Sequence, residues 1–232
     1  MPEKIIGILG GMGPEATIDL FYKIIKFTPA EKDQDHLRII IDNNSKIPDR
    51  TAAILGSGKS PLPALKESAR NLEKAGADFI IIPCNTAHYF LTLIQESVKI
   101  PILNMIEETV KETQKRISQI QKVGLLASIS IYETEIYHQH FKKINIVVIS
   151  PEEKDKKEIM KVIYAVKAGN LSEEIKKNIL KTAQKLIDKG AEAIITGCTE
   201  IPLILKEGDV SVPIIDPTQI LAEAAVQKAR LL

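Results

Sequence analysis

The 232-residue chain has no tryptophan, and aromatic residues make up only 4% of it. A hydrophobic content of 44% is nonetheless enough to build a substantial core, for one large domain or two small ones. There are only two cysteines, Cys84 and Cys198, too far apart in sequence to form a disulfide framework. Neither sign of charge prevails: 31 Lys and Arg against 30 Asp and Glu leave a net charge of +1. That balance creates no global field for nucleic acid or an anionic membrane, leaves charged ligands to local residues, and permits self-association. No apolar run approaches the roughly 18 residues of a membrane span. The first residues read as a strand and lack the pattern of a targeting peptide. These absences lead us to expect a cytoplasmic protein with reduced thiols, a small-molecule ligand, and neither a nucleic-acid nor a membrane partner.

Short Ile- and Val-rich runs alternate with longer helical patterns. The runs at 5–9, 38–42, 79–83, 102–104, 123–127, 146–149, 193–196 and 214–216 are nearly continuous in apolar residues, as strands buried on both faces should be. Over 172–189 the apolar residues Ile175, Ile179, Leu180, Ala183, Leu186 and Ile187 form one helical stripe, with Ser172 suited to cap its start and Gly190 its end. Alternating β and α elements predict an α/β protein with mainly parallel sheets.

The order of elements then repeats. Ala75-Gly-Ala-Asp-Phe-Ile-Ile-Ile-Pro-Cys84 is similar to Lys189-Gly-Ala-Glu-Ala-Ile-Ile-Thr-Gly-Cys198, with each cysteine eight residues after its glycine. Each cysteine is followed by a short helix-like segment and a Pro-led strand, and Lys4-Ile-Ile-Gly-Ile-Leu matches Lys122-Val-Gly-Leu-Leu upstream. We therefore expect two pseudo-symmetric α/β domains, each with a mainly parallel sheet of about four strands flanked by helices. The expected N-terminal half spans 1–115, with the C-terminal helix 217–232 packing back on it, and the C-terminal half spans 116–216, after a polar break at 115–121. In open parallel sheets functional residues sit at the carboxyl ends of strands. Each cysteine occupies that place in its own half, so halves facing each other about a pseudo-twofold would bring both thiols to one active-site cleft.

Two thiols so placed suit the inversion of a stereocentre. A base must take the proton from one face and an acid must return one to the other, whereas a single group tends to return the proton to the face it left. Thiolate reactivity rises at helix N-termini, and the polar pairs Asn85–Thr86 and Thr199–Glu200 follow the cysteines where such termini are expected. The bland alternative is a pair of small buried hydrophobes at strand ends. A metal reading joins Cys84 and His88, four apart, but needs Cys198 or Glu200 to complete about four ligands.

Five motifs extend the comparison: Gly7-Ile-Leu-Gly-Gly-Met-Gly-Pro14, Asn43-Asn-Ser-Lys-Ile-Pro-Asp-Arg-Thr51, Pro83-Cys-Asn-Thr-Ala-His88, Val166-Lys-Ala-Gly-Asn170 and Gly197-Cys-Thr-Glu200. Together, and in this order, they resemble the aspartate/glutamate racemase family, its aspartate racemases most of all. The resemblance implies a cofactor-independent two-base mechanism, a homodimer and an acidic amino acid as substrate. Cys84 and Cys198 match the two catalytic cysteines. Asn85, Thr86, Thr199 and Glu200 match the segments that hold the substrate backbone, and Arg50 and Lys167 the basic residues near its side-chain carboxylate. Met12, Asp49 and Thr51 fall in the matching motifs and are carried as substrate-binding. At Ala127-Ser-Ile-Ser130 the chain departs from a pattern with site-lining threonines, and Ser128 is left to replace one hydroxyl. No metal is implied.

Other signals carry less. Gly11-Met-Gly-Pro-Glu-Ala16 fits a dinucleotide loop, which makes a non-catalytic nucleotide-binding module the rival reading, but the acid that should end the next strand, Asp42, comes late. Glutamate, hydantoin or maleate chemistry is the rival within the same resemblance. Gly58-Lys-Ser60 lacks a leading strand and reads as a loop. His36, His138 and His140 read as surface residues, and His88 as a helix residue near the site.

Overall fold

The computed structural model describes residues 3–230. The outermost two residues at either end of the expected halves lie outside the described residues. In chain order the elements are β1 (Ile6–Gly10), α1 (Pro14–Phe27), β2 (Ile39–Asn43), α2 (Arg50–Ile54), α3 (Leu62–Lys74), β3 (Phe79–Ile81), α4 (Leu91–Gln95), α5 (Met105–Arg116), β4 (Lys122–Ala127), α6 (Ile129–Glu133), α7 (Ile136–Lys142), β5 (Val147–Ile149), α8 (Glu153–Lys167), α9 (Glu173–Asp188), β6 (Ile194–Gly197), α10 (Ile201–Ile204), β7 (Ile214–Ile215) and α11 (Pro217–Arg230). They form two compact units, one running to Glu108 and resuming at Thr218, the other spanning Thr109–Pro217. The division falls inside α5, and 115–121 holds the end of that helix and the turn into β4.

The first unit carries a parallel three-stranded sheet in the order β2-β1-β3. Alternation along each strand feeds two apolar layers. Ile6, Ile8, Phe79 and Ile81 pack with α1 and α11, while Leu9, Ile80 and Ile82 pack with α3 and α4. The run at 102–104, expected as a fourth strand, makes a single bridge, Ile80 to Ile102. Pro101 brings no N–H to a ladder, and two residues later Asn104 already turns the chain into α5 by accepting from the N–H groups of Ile106 (3.0 Å) and Glu107 (3.3 Å).

The second unit carries four parallel strands in the order β5-β4-β6-β7. Helices α8 and α9 cover one face through Ile159, Val162, Val166, Ile179 and Leu186. The stripe expected over 172–189 is α9, and Gly190 (φ +93°) ends it. Ser172 stands at its N-cap position but makes no side-chain capping bond.

The internal repeat has a physical basis that is the same in both units. The acid after each Gly-Ala holds the entry to the unit's first strand: Asp78 Oδ2 accepts from Ile5 N–H at 2.6 Å, and Glu192 Oε2 accepts from Gln121 and Lys122 N–H at 2.6 and 2.8 Å. The matching strand glycines leave room for the matching alanines, since a Cβ on Gly7 would lie 2.9 Å from Ala77 and one on Gly124 3.2 Å from Ala191. The turn after β1 has its own requirement. Gly11 has φ +89°, and a Cβ there would lie 2.3 Å from the backbone of Asn44, so the loops after β1 and β2 approach only because that side chain is missing. At Gly56 (φ +75°) nothing lies within 4 Å. Gly56→Ala should therefore cost only the backbone preference, about 1 kcal/mol, whereas Gly11→Ala should cost about 3 kcal/mol or more. Urea unfolding of the two variants beside the parent measures the difference, and equal losses would refute the close approach.

Candidate functional site

In the first unit β3 delivers the chain through Ile82 and Pro83 to Cys84, which is buried, as are Asn85 and Thr86 after it. Cys84 N–H donates to Ile82 C=O at 2.8 Å, tightening the turn out of the strand. His88 fixes the other side of that turn. Met105 N–H donates to His88 Nε2 at 3.1 Å, so that nitrogen is the acceptor and the proton resides on Nδ1, which donates to Cys84 C=O at 2.9 Å. The ring is a neutral strut between the cysteine and the start of α5. With both nitrogens engaged it is a poor metal ligand, and among the described residues no group of three His, Cys, Asp or Glu could hold a metal ion.

The helix-like segment expected after Cys84 is a 3-10 segment, Thr86–Phe90, followed by the short helix α4. Asn85 has helical backbone angles and makes no side-chain cap bond. Cys198 likewise precedes a helix of only four residues, α10. The anticipated α-helix dipole is therefore weak at both cysteines, because α10 has only four residues in one case and 3-10 geometry prevails in the other.

Arg50 is the first residue of α2, yet it is buried at 8% exposure. Its Nη2 donates to Met12 C=O at 3.3 Å, and its Nη1 to Pro48 C=O at 3.1 Å and Ile47 C=O at 3.4 Å. All three acceptors are neutral, and Nε has no hydrogen-bond partner. Asp49 does not pair with Arg50: it is exposed and caps α2 by accepting from Ala52 N–H at 2.7 Å. Thr51 is half-buried, and Met12 is buried in the layer that also holds Cys84 and Ile47.

In the second unit β6 leads directly to Cys198. The thiol donates to Glu200 Oε2 at 2.9 Å, and Thr199 Oγ1 donates to the same oxygen at 3.4 Å. Lys167 Nζ, at the end of α8, lies 3.9 Å from Glu200 Oε1 and 5.9 Å above the Tyr164 ring. Thr199 and Glu200 are buried, and Lys167 is exposed. Removal from water pushes the Cys198 thiol well above its ordinary range. The Glu200 charge adds to that shift, and the Lys167 ammonium opposes it. The expectation of a lowered thiol pKa is therefore reversed here. Glu200, the residue expected to hold a substrate backbone, engages its neighbouring thiol in this structure.

Ser128 follows β4 at the N-cap position of α6, buried, with its hydroxyl 3.0 Å from that of Ser130. Tyr132 supports this corner: it donates to Leu125 C=O and accepts from Ala127 N–H, both at 2.9 Å. Burial raises its phenol, which keeps the donor proton in place. Sequence reasoning passed over Tyr132, and only its position four residues after Ser128 could have drawn attention to it. His138, expected at the surface, is half-buried against Ser150 at 2.8 Å, and burial lowers its pKa. The glycine-rich loop after β1 is filled by the chain's own Asn44 backbone, which accounts for its composition without a nucleotide.

Residues 9–225 match the family described as Asp/Glu/Hydantoin racemase. Over 228 residues the chain is 30% identical to a broad specificity amino-acid racemase of Bacillus subtilis, covering 96% of each. Its structure matches that of an aspartate racemase from Picrophilus torridus with a TM-score of 0.83 and 35% identity, covering 98% of this chain and 94% of the other. A glutamate racemase of Aquifex aeolicus is 27% identical over 143 residues, which are 61% of this chain and 54% of that protein.

The surroundings of Cys198 predict two opposed shifts. In a Cys84→Ala background, alkylation by iodoacetamide should report the Cys198 thiolate, rising only above the ordinary thiol range of about 8.5. Adding Glu200→Gln removes a charge that favours the thiol and should move the midpoint to lower pH. Lys167→Met removes a charge that favours the thiolate and should move it higher. An unmoved midpoint in the Glu200 variant would show that the carboxylate does not govern the thiol.

Proposed function

The chain belongs to the Asp/Glu/Hydantoin racemase family, and we propose that this isomerase interconverts L- and D-aspartate through the thiols of Cys84 and Cys198 without a cofactor. A two-base inversion requires one thiol on each face of Cα, and the chain has two thiols to fill these roles. In one direction Cys84, as thiolate, takes the Cα proton, and Cys198, held as a thiol beside Glu200, delivers one to the opposite face. For the other enantiomer the roles exchange, and Cys198 must first lose its proton. Acid–base catalysis of this kind is worth about 10²–10⁴-fold. The remainder comes from donors that stabilise charge developing on the α-carboxylate, for which the amide of Asn85 and the hydroxyls of Thr86 and Thr199 are suited.

The observation that carries the acidic substrate is Arg50. It is a buried cation whose acceptors are all neutral carbonyls, with Nε left over and no carboxylate paired to it among the described residues. A buried charge without a counterion is costly, and a substrate carboxylate would complete it. The likeness to the Picrophilus torridus aspartate racemase supports aspartate within the acidic class. The likeness to a broad specificity racemase favours a second reading, turnover of several amino acids, for which Arg50 has no evident use. We place the enzyme in the cytoplasm, where both thiols stay reduced, and as a homodimer. Among the described residues no helix is long and apolar enough to cross a membrane.

Incubation in D₂O with L-aspartate, L-glutamate and L-alanine should show Cα deuteration together with optical inversion, fastest for aspartate. Cys84→Ala and Cys198→Ala should each abolish inversion; substantial turnover in either variant would sink the two-thiol mechanism. Activity should survive hydroxylamine, since no carbonyl cofactor is involved. Arg50→Met should lower kcat/KM for aspartate about ten- to hundredfold, the worth of a charged hydrogen bond. An equal loss on alanine would show that Arg50 does not read the side-chain carboxylate.

A further inference from the structure

Strand β2 lies at the edge of its sheet, and its outer side is open. Ile6 N–H donates to Arg38 C=O at 3.1 Å, which fixes the direction of every backbone group along the strand. The N–H and C=O of one residue point the same way and alternate along a strand. Those of residues 38, 40 and 42 therefore face β1, while those of Ile39 and Ile41 point outward. Beside this edge runs an apolar groove in which Ile39 and Ile41 meet a stripe of α1, namely Ile18, Phe21 and Ile25. Ile18 is 66% exposed, Ile41 40% and Phe21 36%.

Of the other three sheet edges, that of β3 is covered at Ile80 by the segment around Ile102, and the remaining two are short. Strand β5 has three residues and follows Lys142 and Lys143, and β7 has two. Short edges and flanking lysines are the usual means of preventing edge-to-edge pairing. Strand β2 has five residues, three of them consecutive isoleucines.

We propose that β2 pairs antiparallel with β2 of a second copy of the chain about a twofold at Ile40, joining the two three-stranded sheets, with the α1 stripes packed across the same axis. This inference names the surface for the homodimer put forward above and rests on that reading. The sequence is self-complementary about Ile40. Ile39 falls opposite Ile41 of the second copy, and their outward N–H and C=O groups exchange as a hydrogen-bonded pair. Arg38 falls opposite Asp42, on the other face of the strand, with Cβ atoms about 4.5–5.5 Å apart. Arg38 is exposed, and Asp42 keeps one contact in its own chain, from Asn71 Nδ2 at 3.4 Å. Moving the twofold to Ile39 or Ile41 separates these charges, so the register is specific.

Sedimentation velocity over a concentration series tests the pairing. The parent should be dimeric. Arg38→Asp and Asp42→Arg each set like charges opposite one another twice per interface and should raise the dimer Kd about tenfold or more. The double variant Arg38→Asp/Asp42→Arg restores opposite charges and should return to within about threefold of the parent. Far-UV circular dichroism of each variant separates dissociation from unfolding. A double variant no tighter than the weaker single one, or single variants that stay as dimeric as the parent, would overturn this surface and leave the homodimer standing. A parent that is monomeric throughout would overturn both.

Discussion

A parallel strand buried on both faces has no place along its length for a charged side chain, so chemistry must wait until the strand ends. β1, β3, β4 and β6 all obey this rule: their buried residues are uncharged and apolar, with Thr196 the polar exception, its hydroxyl donating to Ile215 C=O at 3.1 Å. At the carboxyl ends the character changes at once, to Met12 and the glycine loop, to Cys84 with Asn85 and Thr86, to Ser128, and to Cys198 with Thr199 and Glu200. The acids at the opposite ends, Asp78 and Glu192, accept backbone N–H groups and set where each first strand begins. Strand register in each unit is thus fixed at one end, and reactive groups are displayed at the other.

The same framework gives the two thiols different surroundings. Cys84 is held through its backbone, since His88 binds its carbonyl and leaves the sulfur without an acid or base of its own in that contact. Cys198 is held through its sulfur, by a carboxylate that a hydroxyl and a lysine also address. A thiol that donates to a buried carboxylate keeps its proton, because its thiolate would sit beside a second negative charge. Units built on one plan therefore differ in what surrounds their cysteine. The difference follows from one position, where the first unit has Thr86 and the second Glu200.

Much of this was legible in the sequence for reasons that can be named. Burial on both faces produces unbroken aliphatic runs, so the strands were found to within a residue or two, and the Gly-Ala-acid repeat exposed the likeness of the units because packing demands it. The failures are equally physical. The run at 102–104 looked like a strand, but Pro101 and the Asn104 cap limit it to one bridge. The helix-like segment foreseen after Cys84 begins as a 3-10 turn. The bond between Cys198 and Glu200 was invisible because spacing of two residues fixes no side-chain direction in a tight turn. Burial of Arg50 was also hidden, since its acceptors are backbone carbonyls, which leave no trace in side-chain patterns.

Under the proposed function, that arginine connects the scaffold to the ligand. Gly11 lets the loop after β1 approach the backbone of Asn44 in the loop after β2, and the Arg50 guanidinium then bonds to Met12 in the first loop and to Ile47 and Pro48 in the second. The cation acts as a clasp between two loops that a Cβ would force apart. Neutral carbonyls satisfy its geometry but not its charge, and a guanidinium out of water interacts far more strongly with an anion than with a dipole. The clasp is formed before substrate arrives, so a carboxylate entering there meets donors already oriented, and little ordering remains to be done on binding. Under the proposed function a neutral side chain would leave the Arg50 charge uncompensated, and discrimination in favour of acidic amino acids would originate in that difference.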